Sequence, residues 1–499
     1  MRGIYTPLTK IRRQVFEEIA RLAFSGHDAR FIEYLPFEII KGEIAQYRDS
    51  VFKERAIVSE RLRLAMGLPL RDSSLPIPIT FGMDDPTLDS KVYEMPFINV
   101  IPFACNACEE KAYAVTDNCR GCLAHPCTAV CPFNAVSIVN GKSVIDKEKC
   151  YKCGRCKDAC PYSAIVQYDR PCAAACGVDA IESDEYGRAK INTDKCVACG
   201  QCMVSCPFGA IADKSQVWQL AKALMGEDEV IAEVAPSFVG QFGPAATPQK
   251  VKAALLELGF SRVYEVAAGA DVGTVEEAHH YAEKVATGED PFLATSCCPS
   301  WSVMAKHAFP EIEEYMSKAL TPMVATARLI KEKHPNARVA FIGPCASKKL
   351  EAMRRSVRSD VEFVVTYEEM IGMLLAKDIE VGLMEDIEMA DASAGGRGYG
   401  AAGGVADAIA QAVAELHPGV EVKIDRAEGL ANCRKMLALA KAGKRQGYLL
   451  EGMSCPGGCI AGPGTVIPTN KAAAELQKFQ KAAPAPNSAQ SPALEEFGK

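Results

Sequence analysis

The sequence predicts an α/β domain over residues 228–470, set behind an α+β region of short strands at 101–213 and a helical segment at 1–100. Three observations carry this. Apolar runs such as EVIAEVAPS (229–237) and ARVAFIGPC (337–345) read as buried strands ending at turns, and they alternate with amphipathic stretches such as KVKAALLELG (250–259). Sixteen of the 22 cysteines fall between Cys105 and Cys206, where CPFNAVSI, CPYSAIVQ and CPFGAIAD each lead from a ligand turn into a short strand. IRRQVFEEIARLAF (11–24) and SVFKERAIVSERLRLAMGL (50–68) carry apolar residues near a 3.6-residue period, which predicts helices.

The remaining elements follow in chain order. A proline-rich extended stretch, LPIPITFGMDDP (75–86), closes the N-terminal segment, which shows no chemistry of its own. SQVWQLAKALM (215–225) is expected as a linker helix within 214–227, between the cysteine-rich region and the α/β domain. The tail, 471–499, reads as a short helix followed by disorder, because KAAPAPNSAQSPALEEFGK is poor in large apolar residues.

Composition excludes several classes. The 499 residues are 48% hydrophobic and 24% charged, ordinary for a globular chain of two or three domains. The net charge of −7, with Lys and Arg spread along the chain, gives no footprint for nucleic acid. No apolar run approaches the roughly 18 residues of a membrane span. The N-terminus lacks a continuous apolar core and a small-residue cleavage site, so the expected location is the cytoplasm, without membrane attachment.

Clustered thiols in such a chain indicate metal rather than disulfides. Cys150, Cys153, Cys156 and Cys160 before Pro161, and Cys196, Cys199, Cys202 and Cys206 before Pro207, spell C-x2-C-x2-C-x3-C-P. In ferredoxins with this run three cysteines wrap one 4Fe-4S cubane and the fourth crosses to a partner cluster. Cys119, Cys122, Cys127 and Cys131 form a variant run with a longer second gap. Pairing it with the run at 150 assigns one cluster to Cys119, Cys122, Cys127 and Cys160 and another to Cys150, Cys153, Cys156 and Cys131. The run at 196 then needs Cys105, Cys108, Cys172 and Cys176 as a split partner, with the first unit nested inside it. This assigns Cys105, Cys108, Cys172 and Cys206 to a third cluster and Cys196, Cys199, Cys202 and Cys176 to a fourth. Structural zinc, the competing use of clustered cysteines, usually separates its pairs by a dozen or more residues.

Six cysteines remain, and five lie in three motifs: TSCCPSW (295–301), GPCASKKLE (343–351) and EGMSCPGGC (451–459). Cys298, Cys345, Cys455 and Cys459 suffice for one cubane, which leaves Cys297 spare. Adjacent side chains point in different directions, so Cys297 and Cys298 are suited to different tasks. Cys433, outside any motif, reads as a buried structural residue.

These three motifs, in this order, resemble the signature motifs of the FeFe hydrogenases, over roughly residues 228–470. The resemblance implies an α/β fold of two lobes around the catalytic cluster, preceded by ferredoxin-like modules holding four accessory 4Fe-4S clusters. It implies an H-cluster, a cubane on Cys298, Cys345, Cys455 and Cys459 joined through Cys459 to a diiron unit with carbonyl and cyanide ligands. It implies that Cys297 relays protons, that Lys348 donates to a cyanide, and that Pro236, Ser237 and Met453 line the diiron pocket. Glu277 and Ser317 match further relay positions, although Thr274-x-x-Glu277 also reads as a capping box at a helix start. Gly457 and Gly458 are expected to let backbone approach the cluster.

The chain departs from familiar members at three places: His280 stands for a second relay glutamate, Gly343 for a methionine and Met323 for a glutamine. These touch the outer proton exit and pocket wall, and they suggest a divergent subgroup. Gly398-x-Gly400-x-x-Gly403 matches a dinucleotide fingerprint, but no strand precedes it and no acid follows at the right distance, so a tight turn before the helix at 405–416 is expected.

The reading implied is a monomeric or weakly associating enzyme that converts protons and electrons reversibly into H2, exchanging electrons with a ferredoxin-like carrier and depending on hydrogenase maturation proteins. At about 59 mV per pH unit the proton couple lies near roughly −410 mV at pH 7, within reach of thiolate-bound clusters. The alternatives are a sensory, low-turnover hydrogenase and a non-catalytic iron-sulfur assembly protein of the same superfamily; Cys297 and Lys348 argue against the latter.

Overall fold

A computed structural model describes residues 3–26, 29–83, 85, 88–90 and 94–496. Asp84 and Pro86 of the proline-rich stretch and residues 497–499 of the tail lie outside these.

Residues 228–470 form two lobes, each built on a parallel sheet. The first sheet runs in the order Arg262–Glu265, Val230–Val234, Arg338–Gly343, Phe363–Thr366. The second runs Phe292–Ala294, Tyr448–Met453, Lys423–Glu428. Every residue of Val230–Val234 is buried, as in a parallel sheet covered on both faces. Parallel order sends all strands in one direction, so the motif turns leave from the same edge of their sheets.

The helix Val266–His280 crosses the helix Pro322–Lys333 closely at Gly269, where a Cβ would lie 2.6 Å from the Pro322 carbonyl oxygen. Gly269 N–H donates to Thr326 Oγ1 at 3.2 Å, so the crossing is fixed by a polar contact as well as by shape.

The N-terminal helix Pro7–Ser25 begins at a Thr6 capping box with Pro7 in its first turn, and ends at left-handed Gly26. It packs on the helix Tyr367–Ala376, whose Gly372 leaves room for Phe16. Its Ile19, with Val58 of the helix Val51–Ala65, shares one core with Ala232 and Tyr367. The expected linker helix, Val217–Met225, belongs to that core too: Val217, Trp218, Leu220 and Ala221 are buried, and Trp218 Nε1 donates to Asp89 at 2.7 Å. It is a pillar between neighbours, not a tether.

The cysteine-rich region repeats one strand pattern twice, one copy inside the other. Inside, Ala112–Val115 pairs antiparallel with Ile165–Tyr168, and Val136–Val139 forms a hairpin with Lys142–Ile145. Outside, Ile98–Val100 pairs with Ile211–Asp213, and Ile181–Ser183 with Ala189–Ile191. In each copy the first and last strands meet around an inner hairpin, so the outer copy keeps its closure despite the insertion.

The tail corrects an expectation. Disorder was expected after the first helix, yet Thr469–Lys481 is followed by a packed segment through the helix Pro492–Glu496. Ser488, Ser491 and Ala493 are buried there, and Ser491 Oγ donates to Asp271 of the helix Val266–His280 at 2.6 Å. Small residues let the segment lie flat against that helix, where composition alone signalled only weak burial.

Lys349 fixes the junction of the two regions. Its ammonium, fully buried, meets Asp213 and Glu369 at 2.8 Å each and donates to the Lys214 carbonyl at 3.1 Å. Asp213 ends the last strand of the cysteine-rich region, whereas Glu369 closes a capping box with Thr366 at the end of the first sheet. Removing the cation leaves two carboxylates with no buried partner charge. Lys349→Met is therefore expected to cost about 3–5 kcal/mol, read as a lowered midpoint of chemical unfolding; a loss below about 1 kcal/mol would mean the junction does not rest on this group.

Candidate catalytic metal centre

Loops from the ends of five parallel strands line one cavity of about 80 Å³. Val230–Val234 delivers Pro236, Arg338–Gly343 delivers Cys345, Phe292–Ala294 delivers Cys297 and Cys298, and Tyr448–Met453 delivers Met453, Cys455 and Cys459. Val266, just past Arg262–Glu265, completes the ring. This is the usual place for a ligand in parallel α/β folds, beyond the carboxyl edge of the sheet.

Each turn has a local reason. Cys298 precedes the helix Pro299–Ala308, whose Trp301 Nε1 donates back to the Thr295 carbonyl at 2.8 Å. The Trp301 ring lies flat over Gly452, where any side chain would overlap it. Cys345 starts the helix Ala346–Ala352, which places Lys348 on the inward side. Gly457 and Gly458 are left-handed at φ 95° and 86°. What Gly458 approaches is the backbone of Ala401–Ala402, so it keys the turn to the glycine-rich segment. That segment is the turn expected before the helix Gly404–Leu416, and Ala402 N–H donates to the Gly457 carbonyl at 3.2 Å.

The wall otherwise is apolar, with Pro322, Met323, Phe341 and Tyr399 among its residues. Gly343 has no room for a side chain because Phe341 lies across it, so the wall of the divergent position is supplied two residues earlier. Ser237 departs from expectation: it does not line the cavity, and its hydroxyl shares a 2.7 Å hydrogen bond with Tyr367 Oη.

Electrostatics sort the thiols and their neighbours. Burial pushes the Cys298 thiol up to about 11, and Cys459 higher still, so only an electropositive metal group would keep them as thiolates. Burial, with the charges of Cys298 and Glu277 beside it, holds Cys297 well above the ordinary thiol range. Burial alone would lower Lys348, but the Glu351 carboxylate at 2.7 Å outweighs it and keeps the ammonium charged.

Burial raises Glu277 to about 7, opposed by a hydrogen bond from Ser317. Cys297, Glu277 and Ser317, far apart in sequence, thus lie together. The capping-box reading of Thr274 and Glu277 is overturned: the helix starts at Val266, eight residues earlier, and Thr274 Oγ1 donates to the Ala270 carbonyl at 2.7 Å. Glu277 is therefore not committed to a helix end. At the end of this helix His280 pairs with Asp290 at 3.0 Å.

Sequence reasoning missed four residues here: Tyr399, which shares a 2.8 Å hydrogen bond with Thr274 and lines the cavity; Glu351, the partner of Lys348; Glu233, fully buried with neither oxygen partnered; and Gln201. A carboxyl inside the otherwise apolar run EVIAEVAPS was the available signal for Glu233. Gln201 Nε2 donates to Cys455 Sγ at 3.2 Å and Ser300 Oγ to the Val197 carbonyl at 3.1 Å, so the last cysteine run docks directly on the cavity, which Cys199 also lines.

The accessory cysteines gather in sets. Cys105, Cys108, Cys172 and Cys206 line one cavity of about 20 Å³. Cys196, Cys199, Cys202 and Cys176 lie within one another's fields, as do Cys156, Cys150 and Cys131. Ser143 bridges Cys119 and Cys127 at 3.4 and 3.5 Å, and Cys160 packs in the same small core. Among the described residues no three His, Cys, Asp or Glu converge to hold a single metal ion. Thiols spread around a space, rather than meeting at a point, suit cubanes better than zinc.

Backbone geometry repeats with the sets. Ala107, Gly121, Lys152 and Ala198, each just before the second cysteine of a run, are left-handed at φ 45–58°. Asn134, Ser163, Asp179 and Gly209, each three residues past a last cysteine, are left-handed at φ 48–58°. In all four places the next N–H donates to that cysteine's sulfur at 3.2–3.4 Å. The split pair thus has the backbone of the intact runs.

Comparison with known proteins agrees with this geometry. Residues 228–463 match the family described as iron only hydrogenase large subunit, C-terminal domain. Residues 118–170 match an LdpA Fe-S cluster-binding domain and 189–212 a 4Fe-4S binding domain. Iron hydrogenase 1 of Clostridium pasteurianum is 30% identical over 372 residues, covering 64% of this chain and 64% of that protein, so the chain spans a little under two thirds of its length. The cytosolic Fe-S cluster assembly factor NAR1 of Kluyveromyces lactis is 34% identical over 92 residues, 18% of this chain and 19% of that one. A variant of the [FeFe]-hydrogenase HydA1 of Chlamydomonas reinhardtii shares the fold, with a TM-score of 0.50 at 21% identity over 57% of this chain and 93% of that one.

Two outcomes follow from this geometry. Glu277 in the folded chain keeps its proton up to about 7 against 4.5 ordinarily, so its share of stability is present below pH 4.5 and is lost as pH rises to about 7. Glu277→Gln removes that loss, and relative to wild type it should be more stable at pH 8 than at pH 4 by roughly 3 kcal/mol, at 1.36 kcal/mol per pH unit. Equal effects at both pH values would place the carboxyl in water. Resolved by electron paramagnetic resonance, Cys206→Ala should perturb the same cluster signal as Cys105→Ala and spare that of Cys196→Ala; grouping with Cys196 would refute the split set.

Proposed function

We propose, from the premise that residues 228–463 belong to the iron-only hydrogenase large-subunit family, that the chain is an FeFe hydrogenase reversibly joining two protons and two electrons into H2. The observation that carries this reading is the set of five motif thiols and one buried ammonium around an apolar cavity, with proton-bearing groups beside one of the thiols.

Cys298, Cys345, Cys455 and Cys459 would hold the cubane, and Cys459, Lys348, Pro236 and Met453 would hold the diiron unit. When bound, the diiron unit supplies the site where hydrogen forms or splits. A cation in an apolar cavity suits anionic ligands, and Glu351 keeps Lys348 charged for that task. Cys297 holds its proton because burial and neighbouring charge disfavour the thiolate. Glu277, titrating at about 7, can give up and regain a proton at ambient pH. Ser317, hydrogen-bonded to Glu277, would be the next group of the relay.

Electrons would enter through four accessory clusters and reach the cavity at the contact of Gln201 and Cys455. The carrier would be ferredoxin-like, and maturation proteins would supply the diiron unit. A cytoplasmic location belongs to this reading, since so many thiols need a reducing compartment; among the described residues no helix is long and apolar enough to cross a membrane. The assembly-factor reading gains no support from Cys297 or Lys348, which only diiron chemistry requires.

The test separates neighbours. In matured protein Cys297→Ser should keep the carbonyl and cyanide infrared bands while turnover drops by roughly two orders of magnitude, the scale of a lost acid-base group. Cys298→Ser should lose the bands, because a cluster ligand is gone. Wild-type protein matured without any such bands would sink the hydrogenase reading and favour an assembly role; full activity in Cys297→Ser would sink the proton route alone.

A further inference from the structure

Of the 22 cysteines only Cys153 is exposed; the others are buried or half-buried. It belongs to the set of Cys150, Cys156 and Cys131, which makes that corner the most accessible of the whole file. Around it lie two exposed aromatic rings, Phe133 and Tyr151, 46% and 75% exposed, in contact with centroids 5.1 Å apart and planes tilted by 31°. Large rings standing in water at one spot are uncommon on a monomer's surface and mark contact sites.

The charge at this corner is also distinct. Residues 118–170 hold eight Lys and Arg against four Asp and Glu, so the module is net positive within a chain whose formal charge is −7. Lys142, Lys147 and Lys149 are engaged by acids. Lys152, Arg155 and Lys157, flanking Cys153 on both sides, are exposed and have no ion-pair partner among the described residues. On a chain of net negative charge, an unpaired basic corner beside exposed aromatic rings draws an acidic partner to that place and orients it there.

We propose that the turn Tyr151–Lys157, with Phe133, is the docking face for a small acidic electron-carrier protein, the aromatic pair forming its apolar centre and Lys152, Arg155 and Lys157 its charged rim. The inference rests on the hydrogenase reading and names the point where that partner binds. One electron at a time would pass between the carrier's redox group and the cluster behind Cys153, the carrier being oxidised as the cluster is reduced when hydrogen is made, and the reverse when it is consumed.

The test compares a purified acidic ferredoxin with methyl viologen as electron donors to the matured full chain. In Arg155→Glu with Lys157→Glu, the ratio of ferredoxin-linked to viologen-linked turnover should fall at least 10-fold, mainly through a raised KM for ferredoxin, and its dependence on ionic strength should flatten. Tyr151→Ala should lower the same ratio but keep the ionic-strength dependence. Lys471→Glu, an exposed lysine of the helix Thr469–Lys481, should leave the ratio as it is. An unchanged ratio in the double reversal, or an equal fall in Lys471→Glu, would overturn the docking face. Absence of viologen-linked hydrogen turnover in wild type would instead strike the hydrogenase reading, and calorimetric titration of ferredoxin onto the chain would still decide the docking face.

Discussion

The constraint on which the rest depends is that two parallel sheets open onto the same space. A parallel sheet releases all its loops at one edge, so two such sheets that open on the same space can bring five strand ends, and five motif thiols, to one cavity without any long excursion of chain. Close contacts at glycines fix the packing around that space: at Gly269 against Pro322, a helix crossing, and at Gly452 under Trp301, a strand–helix contact within the second lobe, one added carbon would force the neighbours apart. Thiols raised by burial make the arrangement poor as an empty protein and good as a metal-loaded one.

The accessory region obeys a different rule, that of the backbone. Its clusters are specified by a short peptide conformation, a left-handed residue followed by an N–H aimed at sulfur, repeated wherever a run ends. Non-glycine residues such as Lys152 and Asp179 accept a left-handed φ that costs about 1 kcal/mol or more. Cluster binding is what would offset that cost, so the strain itself is a mark of the ligand turns. Because the motif is local, one copy can be inserted whole into another, and the strands at the ends of the outer copy still find each other.

Much of this was legible in the sequence because metal ligation is written in spacing. The cysteine sets, the motif turns and the α/β alternation follow from residue order, since each depends on neighbours within a few positions. What was illegible depends on distant partners. Thr274 and Glu277 have the spacing of a capping box, but the true helix start lies at Val266, and an interior position frees Glu277 to meet Ser317 from another element. Ser237 stands in a motif yet turns to Tyr367, 130 residues away in sequence. The tail looked disordered because its small residues bury little area, whereas the Ser491 hydroxyl, which donates to buried Asp271, ties it to the helix Val266–His280.

The two acids nearest the ammonium explain why Lys348 can serve the cavity at all. Glu351 pairs with it at 2.7 Å, a contact that also satisfies the ammonium's charge. Glu233 lies in the same field, fully buried with no hydrogen-bond partner for either oxygen among the described residues, and burial raises it well above the carboxylate range, which favours its neutral form. Were it ionised, two carboxylates would compete for one cation and draw it away from the cavity. A neutral Glu233 leaves Glu351 as the carboxylate paired with the ammonium. Glu277, whose neighbouring charges are the acids Glu276 and Glu451, is raised by burial to about 7, so under the proposed reading it is the group suited to exchange a proton, while the Glu351 carboxylate keeps Lys348 charged. The same low dielectric acts differently on differently partnered groups: it raises Glu277, whereas at Lys348 the Glu351 carboxylate outweighs it.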